Sequence, residues 1–146
     1  MEVCIRRFSE LQTDELYRLL RLRVQVFVVE QNCPYQELDN RDQEAVHVWL
    51  QEDGEILACL RVMDRGAESE DVSIGRVVSL HRNQGLGMRV LMEGLAVAET
   101  VFQADSVYLE AQVQAVPFYE KAGFIPFGEV FIEDGIPHIR MRRQCG

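Results

Sequence analysis

At 146 residues the chain has room for one ordinary domain, residues 1–146, able to bury about two thirds of its unfolded surface without disulfide or metal staples. Fifteen basic against 24 acidic groups give a net charge of −9, which argues against a basic face for nucleic acid or anionic lipid. Apolar residues at 47% and charged residues at 27% are globular proportions, and no run reaches the ~18 apolar residues of a membrane span.

The start, MEVCIRRFSE, lacks the apolar stretch and small-residue cleavage site of a signal peptide. Ser9 or Thr13 can then cap a helix over about residues 10–29, where Leu16, Leu19, Leu20, Val24, Phe27 and Val28 form one buried stripe. Glu30 to Glu44 has neither helical nor strand period and reads as a long acidic loop, with Glu30, Glu37, Asp39, Asp42 and Glu44 against Arg41. AVHVWLQ and EILACLRVM follow as strands joined through Asp53-Gly54, a dipeptide that accepts the positive φ of a tight hairpin. VSIGRVVSL is a third strand. It leads through the glycine loop HRNQGLG into an amphipathic helix, MRVLMEGLAVAETVF. SVYLEA is a strand, residues 115–122 a brief helix stopped by Gly123, and FIPFGEVFIEDGIPHIRMRR a final hairpin turning at Asp134-Gly135. The order predicts an α/β (α+β) architecture, a mixed sheet with helices on its faces.

Cys4, Cys33, Cys59 and Cys145 lie far apart with no C-x-x-C pair, which implies reduced thiols in a cytoplasmic protein and neither a zinc ribbon nor a redox dithiol. Cys59 reads as core. Cys33, before Pro34, is either a loop nucleophile or an inert thiol. No metal is expected: the acidic loop lacks the glycine and terminal glutamate of a calcium loop.

The segment Arg82-Asn83-Gln84-Gly85-Leu86-Gly87 stands between a strand and a long helix. Glycines there remove the Cβ atoms that would hold a ligand off, and the positive end of the helix favours a phosphate. The dinucleotide and P-loop fingerprints are both absent. Arg or Gln, two residues, Gly, one residue, then Gly or Ala is the cofactor loop of the GCN5-related N-acetyltransferase (GNAT) family, which this segment resembles. VVSL before it and AQVQAVPFYEKAGF after it are similar to that family's cofactor strand, short helix, Tyr and Gly-Phe pair. RVQVFVVEQNCPYQELDNRD, FYEKAGF and EDGIPHIRM resemble its ElaA-like branch.

The resemblance implies a mostly antiparallel, splayed sheet with helices on both faces, and an acyl-CoA-dependent N-acyltransferase using acetyl-CoA and a primary amine. Pantetheine would lie along Val77 and Val78, and Arg82, Asn83, Gln84, Gly85, Leu86 and Gly87 would cradle the pyrophosphate. Tyr119 would protonate the departing thiolate. Many members place Asn seven residues before that Tyr; here Gln112 stands there as a candidate cofactor contact. A base is useful because an ammonium acceptor must lose a proton. Glu110, His47 and His138 are candidates, each weighed against an ordinary structural role. Glu37, Asp39 and Asp42 form either a wall attracting a cationic amine or a solvated face. A non-catalytic acyl-CoA-binding protein and an acyl-homoserine-lactone-synthase-like enzyme with a longer acyl donor stay open as alternatives. The apolar hairpin segment EVFI could bury against a second copy in a homodimer.

Overall fold

In a computed structural model describing residues 1–81 and 84–146, seven strands form one mixed sheet flanked by helices. The chain opens with β1 (Glu2–Arg7), which pairs antiparallel with β2 (Val46–Glu52), and β2 pairs antiparallel with β3 (Glu55–Met63). β1 is not foreseen from sequence because only Cys4 of its six residues is buried. As an edge strand ending in Arg6 and Arg7 it carries no strong apolar alternation. The expected first helix starts later and changes character. A 3₁₀ turn at Phe8–Glu10 precedes α1 (Thr13–Val24), and the backbone runs on as a π-helical turn over Gln25–Glu30. The N-cap is Gln12, not Ser9 or Thr13, and its N–H donates to Glu15 Oε1 at 2.8 Å.

β4 (Val72–Ser79) lies antiparallel to β3, and α2 (Leu86–Phe102) crosses over to β5 (Ser106–Gln112). After α3 (Val116–Lys121), β6 (Ile125–Glu133) and β7 (Ile136–Gln144) form the final hairpin, with β7 between β5 and β6. The sheet order is therefore β1-β2-β3-β4-β5-β7-β6, and β4 with β5 is its one parallel pair.

Alternation along the strands supplies two cores. Val48, Leu60, Val62 and Ile74 pack with Val90, Leu91 and Leu95 of α2 on one face. Trp49, Cys59 and Val78 pack with Leu19 and Leu22 of α1 on the other. Among the described residues no helix is long and apolar enough to cross a membrane. Val130 and Ile132, within the expected dimer segment, are exposed on the edge strand β6.

Candidate functional site

β4 and β5 pair only at Val72 with Val107 and Ser73 with Tyr108; beyond that point they diverge. The separated halves border a cleft of about 1210 Å³. Its β4 wall is Gly75 to Ser79 and its β5 wall includes Leu109, Glu110 and Gln112, while Gly85 and Gly87 at the start of α2 close one end. Backbone groups of β4 that would have bonded β5 lack a strand partner along this stretch, so a ligand's amides can take their place.

A bulge sharpens that geometry. Cys59 opposes Val78 but Arg61 opposes Gly75, so β4 spends one more residue than β3 over the interval, and Arg76 takes φ +54°. The next residues, Val77 and Val78, sit on the cleft wall, with Val78 buried on the α1 side. At the end of the cleft, Gly85 caps α2 with φ +73°, and nothing lies within 4 Å of the Cβ it lacks. A Cβ at Gly87 would sit 3.4 Å from the Phe118 ring and 3.8 Å from Ser79 Cβ, so glycine lets the helix start settle between β4 and α3. The first turn of a 17-residue helix, where backbone N–H groups lack partners within the helix, thus borders the cleft at Gly85 to Gly87. Gln84 is exposed; Arg82 and Asn83 lie outside the described residues. Unpaired strand-edge amides and an open helix N-terminus fit a pantetheine chain and a pyrophosphate respectively.

Tyr119 lines the cleft, its ring edge-on to Phe118 at 5.1 Å and Phe124 at 6.0 Å. Burial pushes its phenol upward, so it holds its proton at neutral pH. Glu110 also lines the cleft and accepts a hydrogen bond from the Tyr108 hydroxyl at 2.7 Å. Glu133 and His138 reach the same region from the final hairpin. Burial, then the Glu110 charge, raise the Glu133 carboxyl, with His138 acting the other way. The His138 Nδ1–H donates to the Ile136 carbonyl at 2.7 Å, and the ring stacks on Phe131. Gln112 exchanges hydrogen bonds with Gln31 at 3.2 and 3.4 Å, tying the loop after the π turn to the end of β5.

Two expectations are corrected, those for His47 and Glu37. His47 is 2% exposed, donates from Nε2 to the Asp42 carbonyl at 2.9 Å and does not border the cleft. Burial, the largest influence, pushes its pKa down. Glu37 does not form an open wall: it is 3% exposed and its Oε2 accepts from Arg23 Nε at 3.0 Å, Arg23 Nη2 at 2.9 Å and Arg76 Nε. Asp39 borders the cleft, yet Arg61 engages both its oxygens at 2.9 and 2.6 Å, and Asp42 is bound to Arg23 and Arg61. Cys33 is a buried thiol whose Sγ–H donates to the Asp134 carbonyl at 3.1 Å.

Sequence reasoning missed Arg76, Tyr108 and Glu133. The run VSIGRVVSL carries no mark of a bulge, and Glu133 reaches the cleft only because the hairpin folds back along β5.

The sequence matches the family described as "Acetyltransferase (GNAT) domain" over residues 11–145. It is 41% identical over 140 residues to ElaA of Escherichia coli, covering 93% of this chain and 92% of that protein. In three dimensions it is similar to an acyl-CoA N-acyltransferase from Pseudomonas aeruginosa, with a TM-score of 0.91 and 42% identity, covering 98% of this chain and 99% of that one. The crystal structure of Escherichia coli ElaA gives the same TM-score at 39% identity and the same coverage. The acyl-homoserine-lactone synthase LasI, at 19% identity and a TM-score of 0.77 over 98% of this chain and 89% of its own, shares the fold.

Proposed function

Because this chain belongs to the GNAT family of acyl-CoA-dependent acyltransferases, we propose that it moves an acetyl group from acetyl-CoA to a primary amine by direct attack while both are bound. The observation that carries this reading is the opening between β4 and β5, which joins an unpaired strand edge to the start of α2.

Acetyl-CoA supplies the activated acyl group, a thioester carbonyl carbon open to an amine. The edge of β4 at Val77 and Val78 holds pantetheine through strand-like hydrogen bonds, and a backbone N–H there polarises the carbonyl oxygen. The start of α2, Gln84 to Gly87 together with Arg82 and Asn83, takes the pyrophosphate. Holding amine and thioester together supplies much of the acceleration. Glu110 and Glu133 attract the ammonium group, and Glu133, its carboxyl raised by burial and by Glu110, accepts the proton that frees the nitrogen lone pair. Nitrogen bonds to the carbonyl carbon, the carbon–sulfur bond breaks, and Tyr119 gives its hydroxyl proton to the thiolate. The amide nitrogen loses its surplus proton to Glu110, Tyr119 regains a proton from solvent, and the two carboxyls release theirs to solvent before the next turnover.

The test is a panel of primary amines offered with acetyl-CoA and with longer acyl-CoA donors, read by free thiol and by mass of the product. Acetylated amine with matching thiol release supports the reading. CoA binding without thiol release on any amine marks an acyl-CoA-binding protein, and a preference for long acyl donors overturns acetyl transfer.

A further inference from the structure

Arg76 stands at the point where β4 slips its register against β3, in a left-handed backbone conformation that disfavours a side chain with a Cβ. Its side chain is held on several sides. Nε donates to Glu37 Oε2, and Nη2 donates to the Glu37 carbonyl at 2.9 Å and to Asp39 Oδ2 at 3.4 Å. The guanidinium carbon lies 5.7 Å from the ring centre of Tyr35, another cleft residue. Glu37 is fixed from the far side by Arg23 of α1, and Arg23 in turn by Asp42 at 2.7 Å. Arg61 of β3 completes the frame on Asp39 and Asp42. Three arginines thus meet three carboxylates. Their charges offset one another inside the fold, with Glu68 4.0 Å from Arg61 at the edge and Glu37 Oε1 left without a partner, which suits a mechanical part more than a ligand-binding charge.

We propose that the Arg76–Glu37 pair, anchored through Arg23, is a positioning clamp that holds the β4 bulge in the shape that presents Val77 and Val78 to the acyl donor. It also fixes the loop bearing Tyr35 against the donor strand, so that this loop and β4 keep one spacing. The proposal rests on the reading that the β4 edge takes the acyl donor. Arg76 and Glu37 touch no reacting atom; they act through the backbone that does.

The pair is tested by isothermal titration of acetyl-CoA into the full chain, at a temperature where circular dichroism shows each variant folded. Arg76→Asn keeps a residue that tolerates the left-handed backbone but cannot reach Glu37. Its acetyl-CoA affinity should fall about tenfold, the scale of one misplaced backbone hydrogen bond. Glu37→Gln should show a smaller loss in the same direction. Arg76→Lys, which keeps charge without the fork, should recover part of the affinity and serves as the comparison if Arg76→Asn does not fold. Since both residues act as one unit, the double variant should lose no more than the worse single variant. Wild-type affinity in folded Arg76→Asn or Glu37→Gln, or losses that multiply in the double variant, overturns the clamp alone. Failure of the wild type to bind acetyl-CoA overturns the donor reading and the clamp with it.

Discussion

Gly94 of α2 and Leu60 of β3 leave no room between them for a methyl group: a Cβ on Gly94 would lie 2.8 Å from both terminal carbons of Leu60 and 3.4 Å from Ile74 Cδ1. Leu60 is 2% exposed and packed in the core shared by α2 and the sheet, so it has little space to yield. Gly94→Ala adds about 0.5–1 kcal/mol of helix propensity but overpacks this contact at about 1–3 kcal/mol. The expected net result is a loss of about 1–2 kcal/mol in denaturant unfolding. An unchanged midpoint would show that Leu60 swings aside. Seating α2 this close is what brings its first turn to the cleft, so acetyl-CoA affinity should weaken in the same variant.

At the other end of functional importance in α2, Gly85→Asp separates binding from folding. Nothing crowds a Cβ there and Asp tolerates φ near +73° better than most side chains, so the fold should survive with a loss of about 1 kcal/mol from the left-handed backbone. Its carboxylate would occupy the helix N–H groups and repel a pyrophosphate. Acetyl-CoA affinity is expected to drop by about tenfold or more, read by titration calorimetry. Retained affinity would remove this loop from the phosphate site.

Tyr119→Phe keeps the edge-on packing against Phe118 and Phe124 while removing the hydroxyl. General acid catalysis is worth about 10²–10⁴ in rate, so kcat with the best acceptor should fall about a hundredfold with acetyl-CoA affinity kept. A matched fall in affinity would point to lost packing. An unaltered kcat would assign the proton to water.

Much of this was legible in the sequence, and what was not has physical causes. Apolar patterning locates β2 to β5 because one or both of their faces are buried, and Asp134-Gly135 marks the turn of the less buried β6–β7 hairpin, whereas β1 buries only Cys4 and escapes notice. The glycine loop announces itself by composition; the bulge at Arg76 does not, since nothing local distinguishes an arginine in a left-handed turn of a strand. The acidic loop was the more instructive miss. Its surplus carboxylates suggest a lure for cations, but Arg23, Arg61 and Arg76 arrive from α1, β3 and β4 to neutralise Glu37, Asp39 and Asp42. Glu110, Glu133 and Asp134 line the cleft as well, and it is the folded hairpin that brings Glu133 and Asp134 to Glu110.

In the proposed mechanism Glu133 and its neighbour Glu110 set the pH dependence of turnover. Glu133 is raised by burial and then by Glu110 and Asp134, with His138 opposing, and as a base it must be deprotonated to act. Activity should therefore rise with pH along an acid limb placed above the ordinary glutamate value of 4.5. Glu110→Gln removes one raising charge, so in kcat/KM profiles the limb should move to lower pH, while Glu133→Gln should flatten it. A limb that stays in place in Glu110→Gln would uncouple the two groups, and one that survives Glu133→Gln would assign the base elsewhere.

Stability should follow pH through different residues. Burial holds His47 neutral in the fold, below its ordinary value of 6.5, so the unfolded chain takes up that proton first. Its contribution is complete above pH 6.5 and is lost as pH falls below it. Asp39 and Asp42 behave in the same sense at lower pH. Burial works against their charge, but the arginine hydrogen bonds outweigh it and hold both below the ordinary 3.8. Their contribution is present above that value and disappears as pH drops through the lower folded values. The melting temperature should accordingly decline in two stages between pH 8 and pH 3, first with His47 and then with the carboxylates. His47→Gln offers an amide N–H that can still reach the Asp42 carbonyl but cannot titrate, so it should remove the first stage and leave the second. A melting temperature that is flat from pH 7 to pH 5 in the wild type, or the same first-stage decline in His47→Gln, would free His47 of that role.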